Sequence, residues 1–189
     1  MPYDSAATRS RLLDSAYGEF VERGLAGARV DRIASAAAAN KQAIYLYFGS
    51  KDALFDAVLD SRLAILADLV PFTPTDLESY IGALFDQFNA DPGLMRLTQW
   101  KALERDGASE AERDAHLAKA EELGNAYNVS PERGMDVMML TLAMAQAWNS
   151  TAATIRNPGG ADASARILRH RKAVIAAVSA AADALLHGE

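Results

Sequence analysis

Six side chains with recognition chemistry stand within one short stretch: Asn40, Lys41, Gln42, Tyr45, Tyr47 and Lys51. None is acidic. Lys41 and Gln42 can donate hydrogen bonds to base edges in a major groove, and the tyrosine hydroxyls and Lys51 suit phosphate oxygens. Bond-making chemistry has no comparable set. His116, His170 and His187 lie far apart, and none has ligand spacing to a second histidine or a carboxylate pair. Cysteine is absent, which removes disulfides, thiol nucleophiles and thiolate-bound metal. Residues 157–160, Asn-Pro-Gly-Gly, lack the strand, lysine and hydroxyl of a phosphate loop, and no serine occupies a nucleophile elbow. No catalytic residue, metal ligand or cofactor is expected, and the chain does not read as an enzyme.

The six groups are useful only if the backbone presents them, and the stretch Ala34–Phe48, "ASAAAANKQAIYLYF", leaves two ways to do so. By propensity, its four consecutive alanines carry a single helix from Val30 to Phe48. Such a helix places Ile33, Ala37, Asn40 and Ile44 on one face. Asn40 would then be buried among apolar groups, at a cost of roughly 1–3 kcal/mol without a partner. A break just before Asn40 makes the same residue an N-cap, a favoured role for asparagine. The sequence therefore predicts helices over Val30–Ala37 and Lys41–Tyr47 with a tight corner between them. A longer amphipathic helix, Ser5–Arg23, precedes them with Leu12, Leu13, Ala16, Tyr17, Phe20 and Val21 in one stripe. Together these three elements form a helix-turn-helix head. The second short helix starts with Lys41 and Gln42, where free N–H groups and the helix dipole attract phosphate.

The remainder has helical period throughout and no alternating segment. A long helix is expected from Lys51 to just before Pro71. Thr75 and Glu78 read as the capping box of the next, and Asp91 with Pro92 opens another. Ser109 and Glu112 form a second capping box for a helix ending near Tyr127. Ser130-Pro131-Glu132 launches the most apolar helix, Pro131–Arg156, and the last runs over Asp162–His187. The expected fold is all-α with nine helices. The longest near-apolar run, Val137–Trp148, is too short to cross a bilayer. The N-terminus has no signal-peptide pattern, and with the missing cysteine this points to the cytoplasm. Net charge is −6 over 189 residues, unevenly distributed. Residues 1–51 hold seven Lys+Arg and five Asp+Glu, and the rest hold twelve and twenty. A slightly basic head joins an acidic body.

The segment "VDRIASAAAANKQAIYLYFGSKDALFDAV", residues 30–58, resembles the signature of the tetracycline-repressor (TetR) family of bacterial regulators. The matching features are the Ile-Ala pair, the corner, a lysine, the apolar residue before Tyr45, Tyr47-Phe48, Ser50-Lys51 and Leu54. "TRSRLLDSAYGEFVERG" upstream is similar to the family's first helix. The resemblance implies a DNA-binding domain over residues 4–62 and a ligand-binding and dimerisation domain over 63–189. It implies a homodimer on double-stranded operator DNA, contacted through Asn40, Lys41, Gln42, Tyr45, Tyr47 and Lys51. It also implies a small-molecule effector, with repression as the expected mode and no membrane partner. Three positions depart from the family pattern. Ala38 replaces the corner glycine, Ala39 the following valine, and Arg29 the threonine that caps the first motif helix. An alanine at positive φ costs about 1 kcal/mol, and Arg29 can serve a phosphate but cannot cap. A helical small-molecule binder of the same fold, without operator binding, is the alternative.

In the body, Trp100, Tyr127, Met138, Met139, Gln146, Trp148 and Asn149 are candidate ligand-binding residues, since such sites are mostly apolar with a few polar anchors. Core packing is the plain alternative for each. Ala173, Ala177, Ala180 and Ala184 recur at helical spacing on the last helix. They offer a flat face for close helix approach, and so a dimer interface of two helices per subunit.

Overall fold

The computed structural model describes residues 5–157 and 162–187. Among them are ten helices and no strand: α1 (Ser5–Gly27), α2 (Val30–Ala36), α3 (Lys41–Phe48), α4 (Lys51–Leu69), α5 (Leu77–Ala90), α6 (Pro92–Glu104), α7 (Glu110–Tyr127), α8 (Pro131–Ser150), α9 (Ala153–Arg156) and α10 (Ala163–Leu186). The all-α expectation holds, with one helix more than the sequence predicted. The segment expected to continue to Arg156 instead stops at Ser150, because Thr151 and Ala152 adopt extended ψ values of 135° and 141°. The Thr151 hydroxyl donates to the Ala147 carbonyl at 2.8 Å, filling an acceptor the helix end leaves open. The single turn of α9 follows. Of the Asn-Pro-Gly-Gly stop, residues 158–160 lie outside the described residues. The cap of α5 also differs from expectation: Asp76, not Thr75, accepts from the Ser79 amide at 3.0 Å.

The chain forms two compact units. The first comprises the described residues up to Ile65 together with Gly93–Ser109. Its core gathers Leu12, Ala16 and Phe20 of α1, Ile33 of α2, Ile44 of α3, Leu54 and Phe55 of α4, and Leu97 of α6. Phe20 and Phe55 meet edge to face, 5.0 Å between centroids. α1 breaks at Gly24, where φ is +68°. A Cβ there would come within 2.7–2.9 Å of the Glu104 carboxylate and the Trp100 ring, so only glycine fits both the backbone and the space. Just beyond the break, Glu104 accepts the Leu25 and Ala26 amides at 2.5 and 3.1 Å, and the Trp100 indole donates to the Val21 carbonyl at 3.3 Å.

The second unit comprises Leu66–Pro92 and the described residues from Glu110 onward. α8 packs against α5, α7 and α10, and α5 also packs on α10. α7 and α8 come into close backbone contact at Gly134, where a Cβ would strike the Ala120 backbone. The core includes Ile81, Leu84, Phe85, Phe88, Leu123, Val137, Met138, Trp148, Val174 and Val178. No helix among the described residues is long and apolar enough to cross a membrane.

Candidate nucleic-acid interface

The corner between α2 and α3 is built from three alanines and an asparagine. Ala37 closes α2, and Ala38 takes the left-handed conformation at φ +49°. The Ala39 amide then reaches the Ala34 carbonyl at 2.9 Å, and the Ala38 amide the Ser35 carbonyl at 3.2 Å. These two bonds are a Schellman motif, normally completed by glycine at the left-handed position. Ala38 thus takes the left-handed geometry that ordinarily favours glycine. Next, Asn40 turns the chain outward with φ −77° and ψ 141°, and its Oδ1 accepts the Gln42 amide at 3.0 Å. That is the N-cap expected of it.

Side chains from α1 hold the corner. Arg11 Nε donates to the Ala37 carbonyl at 3.2 Å, and its Nη2 to the Thr8 hydroxyl at 3.1 Å. Arg29 occupies the N-cap position of α2 and makes no side-chain cap, as its chemistry requires. Glu19 compensates: its Oε1 accepts both the Arg29 amide at 2.9 Å and Arg32 Nε at 2.7 Å. Burial pushes the Glu19 carboxyl up, but these bonds and the charges of Arg32 and Arg23 outweigh it and hold it below the usual glutamate range. Sequence reasoning missed Glu19 and Arg11, because helical period places them on α1 without saying what lies across the gap.

α3 buries Ala43 and Ile44, packs Tyr47 and Phe48 partly against the head core, and turns its remaining residues outward. Lys41, Gln42 and Tyr45 are exposed, as is Asn40 apart from its cap bond. Tyr47 is half-buried, packs on the head core and lies 6.2 Å from the Phe48 ring. Lys51 is also half-buried, and its ammonium donates to the Ala28 carbonyl at 3.2 Å, bridging back to the loop before α2. Lys41 pairs with Asp31 of α2 at 2.9 Å, and this hydrogen bond raises its pKa and lowers that of Asp31. Two acids at the start of α4, Asp52 and Asp56, are held by Arg105 at 3.2 and 3.0 Å, which offsets negative charge near Lys51. One outward residue escaped the sequence analysis. Leu46 is 81% exposed on α3, and its position two residues from buried Ile44 was the available signal.

The seven candidate ligand residues are divided between the two units. Trp100 belongs to the first unit, where its indole is bonded to Val21. Tyr127 stacks edge to face on His187, 5.3 Å away, and lines a cavity of ≈ 260 Å³ with Asp76, Glu78 and Asp183. Met138 is buried in the core of the second unit, whereas Met139 is 61% exposed. Gln146 is half-buried, and Asn149 donates to the Phe88 carbonyl at 3.1 Å. Trp148 is buried beside His170. Ala173, Ala177, Ala180 and Ala184 are all exposed in the single chain, on the side of α10 away from buried Val174, Val178 and Ala182.

A family profile described as bacterial regulatory proteins, tetR family, matches residues 12–58. A second, described as tetracyclin repressor-like, C-terminal domain, matches residues 76–179. The HTH-type transcriptional repressor SCO4008 of Streptomyces coelicolor is 39% identical over 179 residues, covering 88% of this chain and 91% of that protein. The HTH-type transcriptional repressor NicS of Pseudomonas putida is 42% identical over 53 residues, 28% of this chain and 25% of that protein. Among solved structures, SCO4942 from Streptomyces coelicolor superposes with a TM-score of 0.76 at 32% identity, covering 92% of this chain and 97% of that one.

Proposed function

Because the chain belongs to the TetR family of bacterial regulatory proteins, which are DNA-binding transcription factors rather than enzymes, we propose that it represses transcription as a homodimer released from its operator by a small effector. The observation that carries this reading is the corner. A Schellman turn through Ala38 and a cap by Asn40 leave the first turn of α3 exposed, with Lys41 and Gln42 at its positive end. In this reading Gln42 reads a base edge and Asn40, Lys41, Tyr45, Tyr47 and Lys51 hold phosphates. Leu46 adds an apolar contact suited to a thymine methyl. The exposed alanines at 173, 177, 180 and 184 support an α10 dimer face, with Met139 and Leu140 of α8 contributing apolar surface. Two heads would then sit about 34–36 Å apart, one turn of duplex, on a pseudo-palindromic site in the cytoplasm.

The body would take the effector, with Trp148, Gln146 and Asn149 of α8 as first candidates and Tyr127, Met138, Met139 and Trp100 as the remaining ones. Release needs the effector to prefer the DNA-incompetent state, by a coupling of about 1–3 kcal/mol. The test is fluorescence anisotropy of the full chain against the DNA flanking its own gene, across a salt series. A sequence-preferring complex whose affinity falls steeply with salt is expected. Binding that is absent, or indifferent to sequence, rejects the proposal.

A further inference from the structure

The indole of Trp148, near the end of α8, collects positive charge. The guanidinium carbons of Arg156 on α9 and Arg166 on α10 lie 5.1 and 5.4 Å from its ring centroid. The imidazole of His170 packs 5.2 Å from the same ring and 5.9 Å from Phe85. His170 Nε2 is shut off from solvent and has no hydrogen-bond partner. Arg166 and His170 are four residues apart on α10, so they share a face. Arg156 donates one N–H to the Trp148 carbonyl at 2.9 Å.

Neither guanidinium meets a carboxylate among the described residues. The chain does not lack acids, with 25 Asp+Glu against 19 Lys+Arg. One residue beyond His170, Arg171 holds Asp86 with two bonds of 2.8 Å. Cations gathered on a desolvated ring are unfavourable without a counter-charge, and a cation–π contact offsets only part of that. Burial and the nearby Arg166 charge hold His170 below the usual histidine range, so it adds a neutral hydrogen-bonding group rather than a third charge. The cluster is therefore complete except for an anion.

We propose that Trp148, Arg156, Arg166 and His170, backed by Phe85, form a binding site for a small planar organic anion, and that this is the chemical class of the effector. The assignment as effector rests on the repressor reading above; the site itself does not. Paired guanidiniums suit the two oxygens of a carboxylate or the oxygens of a phosphate. The indole suits a flat apolar body, and the orphaned imidazole nitrogen can complete one further hydrogen bond.

Titration calorimetry on the full chain tests the site with 1-naphthoate, naphthyl phosphate, neutral 1-naphthamide and inorganic phosphate as probes. An organic anion should bind, and the amide and inorganic phosphate should bind at least about tenfold more weakly. Comparing the two naphthyl anions tells a carboxylate site from a phosphate site. Arg166→Gln and Arg156→Gln should each weaken the preferred anion about tenfold or more, while Arg169→Gln, exposed on the same helix, leaves it unchanged. Equal binding of acid and amide, or equal effects of the Arg166 and Arg169 variants, overturns the site. So does a shift of the monomer–dimer equilibrium by Arg166→Gln with anion affinity intact, which would assign these arginines to a partner's carboxylates. If the anion binds but the operator complex survives saturation, the effector role is overturned. If the anion binds and no operator complex exists at all, the repressor reading fails and the site stands.

Discussion

Lys41 and Gln42 share the first turn of α3 but not their surroundings. The Gln42 carboxamide is exposed and makes no hydrogen bond among the described residues, whereas the Lys41 ammonium is paired with Asp31 at 2.9 Å. An exposed pair of this kind is weak, so phosphate can displace the carboxylate readily. Asp31 nevertheless competes with DNA and repels it. Asp31→Asn should tighten operator binding roughly two- to fivefold at low salt and by less at high salt; identical affinities across a salt series would show that Lys41 has no part in the complex. Gln42→Ala should change the preferred base at one operator position, by a discrimination of about 1–3 kcal/mol, while leaving non-specific affinity alone. Competition among operator variants measures this, and an unaltered preference removes Gln42 from base reading.

The joints between elements rest on single side chains. Asn40 holds the start of α3 through its bond to the Gln42 amide. Asn40→Ala should cost about 1 kcal/mol of stability by denaturant titration and loosen the turn that carries Lys41 and Gln42. Glu19 joins α1 to the start of α2, where Arg29 cannot cap its own helix. Its folded pKa lies below its unfolded one, so its stabilisation is fully present above the ordinary glutamate pKa of about 4.3 and fades as pH falls through the lower folded value. Glu19→Gln should therefore flatten the acid limb of the stability–pH curve. Parallel losses in both proteins below about pH 5 would assign that limb to other carboxylates.

At the level of the whole molecule, α10 divides its residues between an inner row, Val174, Val178, Ala182 and Leu186, and an outer row of exposed alanines. A row of small side chains permits close helix approach but stabilises little by itself. If it is the dimer face, one charge there should be decisive. Ala177→Glu is expected to give a monomer in sedimentation with unchanged helical content, and to weaken operator binding because the second head no longer follows the first. A variant that remains dimeric places the interface elsewhere.

The short-range features were legible in the amino-acid order. The corner before Asn40, the cap itself, the outward Lys41 and Gln42 and the missing cap at Arg29 all follow from chemistry within a few residues. A polar side chain forced into an apolar stripe finds a better role next door. The stop of α8 at Ser150, the cap of α5 by Asp76 rather than Thr75, and the bonds from Glu19, Arg11 and Glu104 were not legible. Each depends on which group arrives from a distant segment, or on small differences between neighbouring cap candidates. The candidate pocket shows the same division. Hydrophobic period marks Trp148 as inward-facing, but only the folding of α9 and α10 around it brings Arg156, Arg166 and His170 to one ring. Local sequence determined, to within a residue, where the helices begin and which face each buries, because those choices are settled by contacts one or two turns away. Tertiary structure alone decided which charges go without partners, because a charge is paired or left open only once the rest of the chain has packed around it.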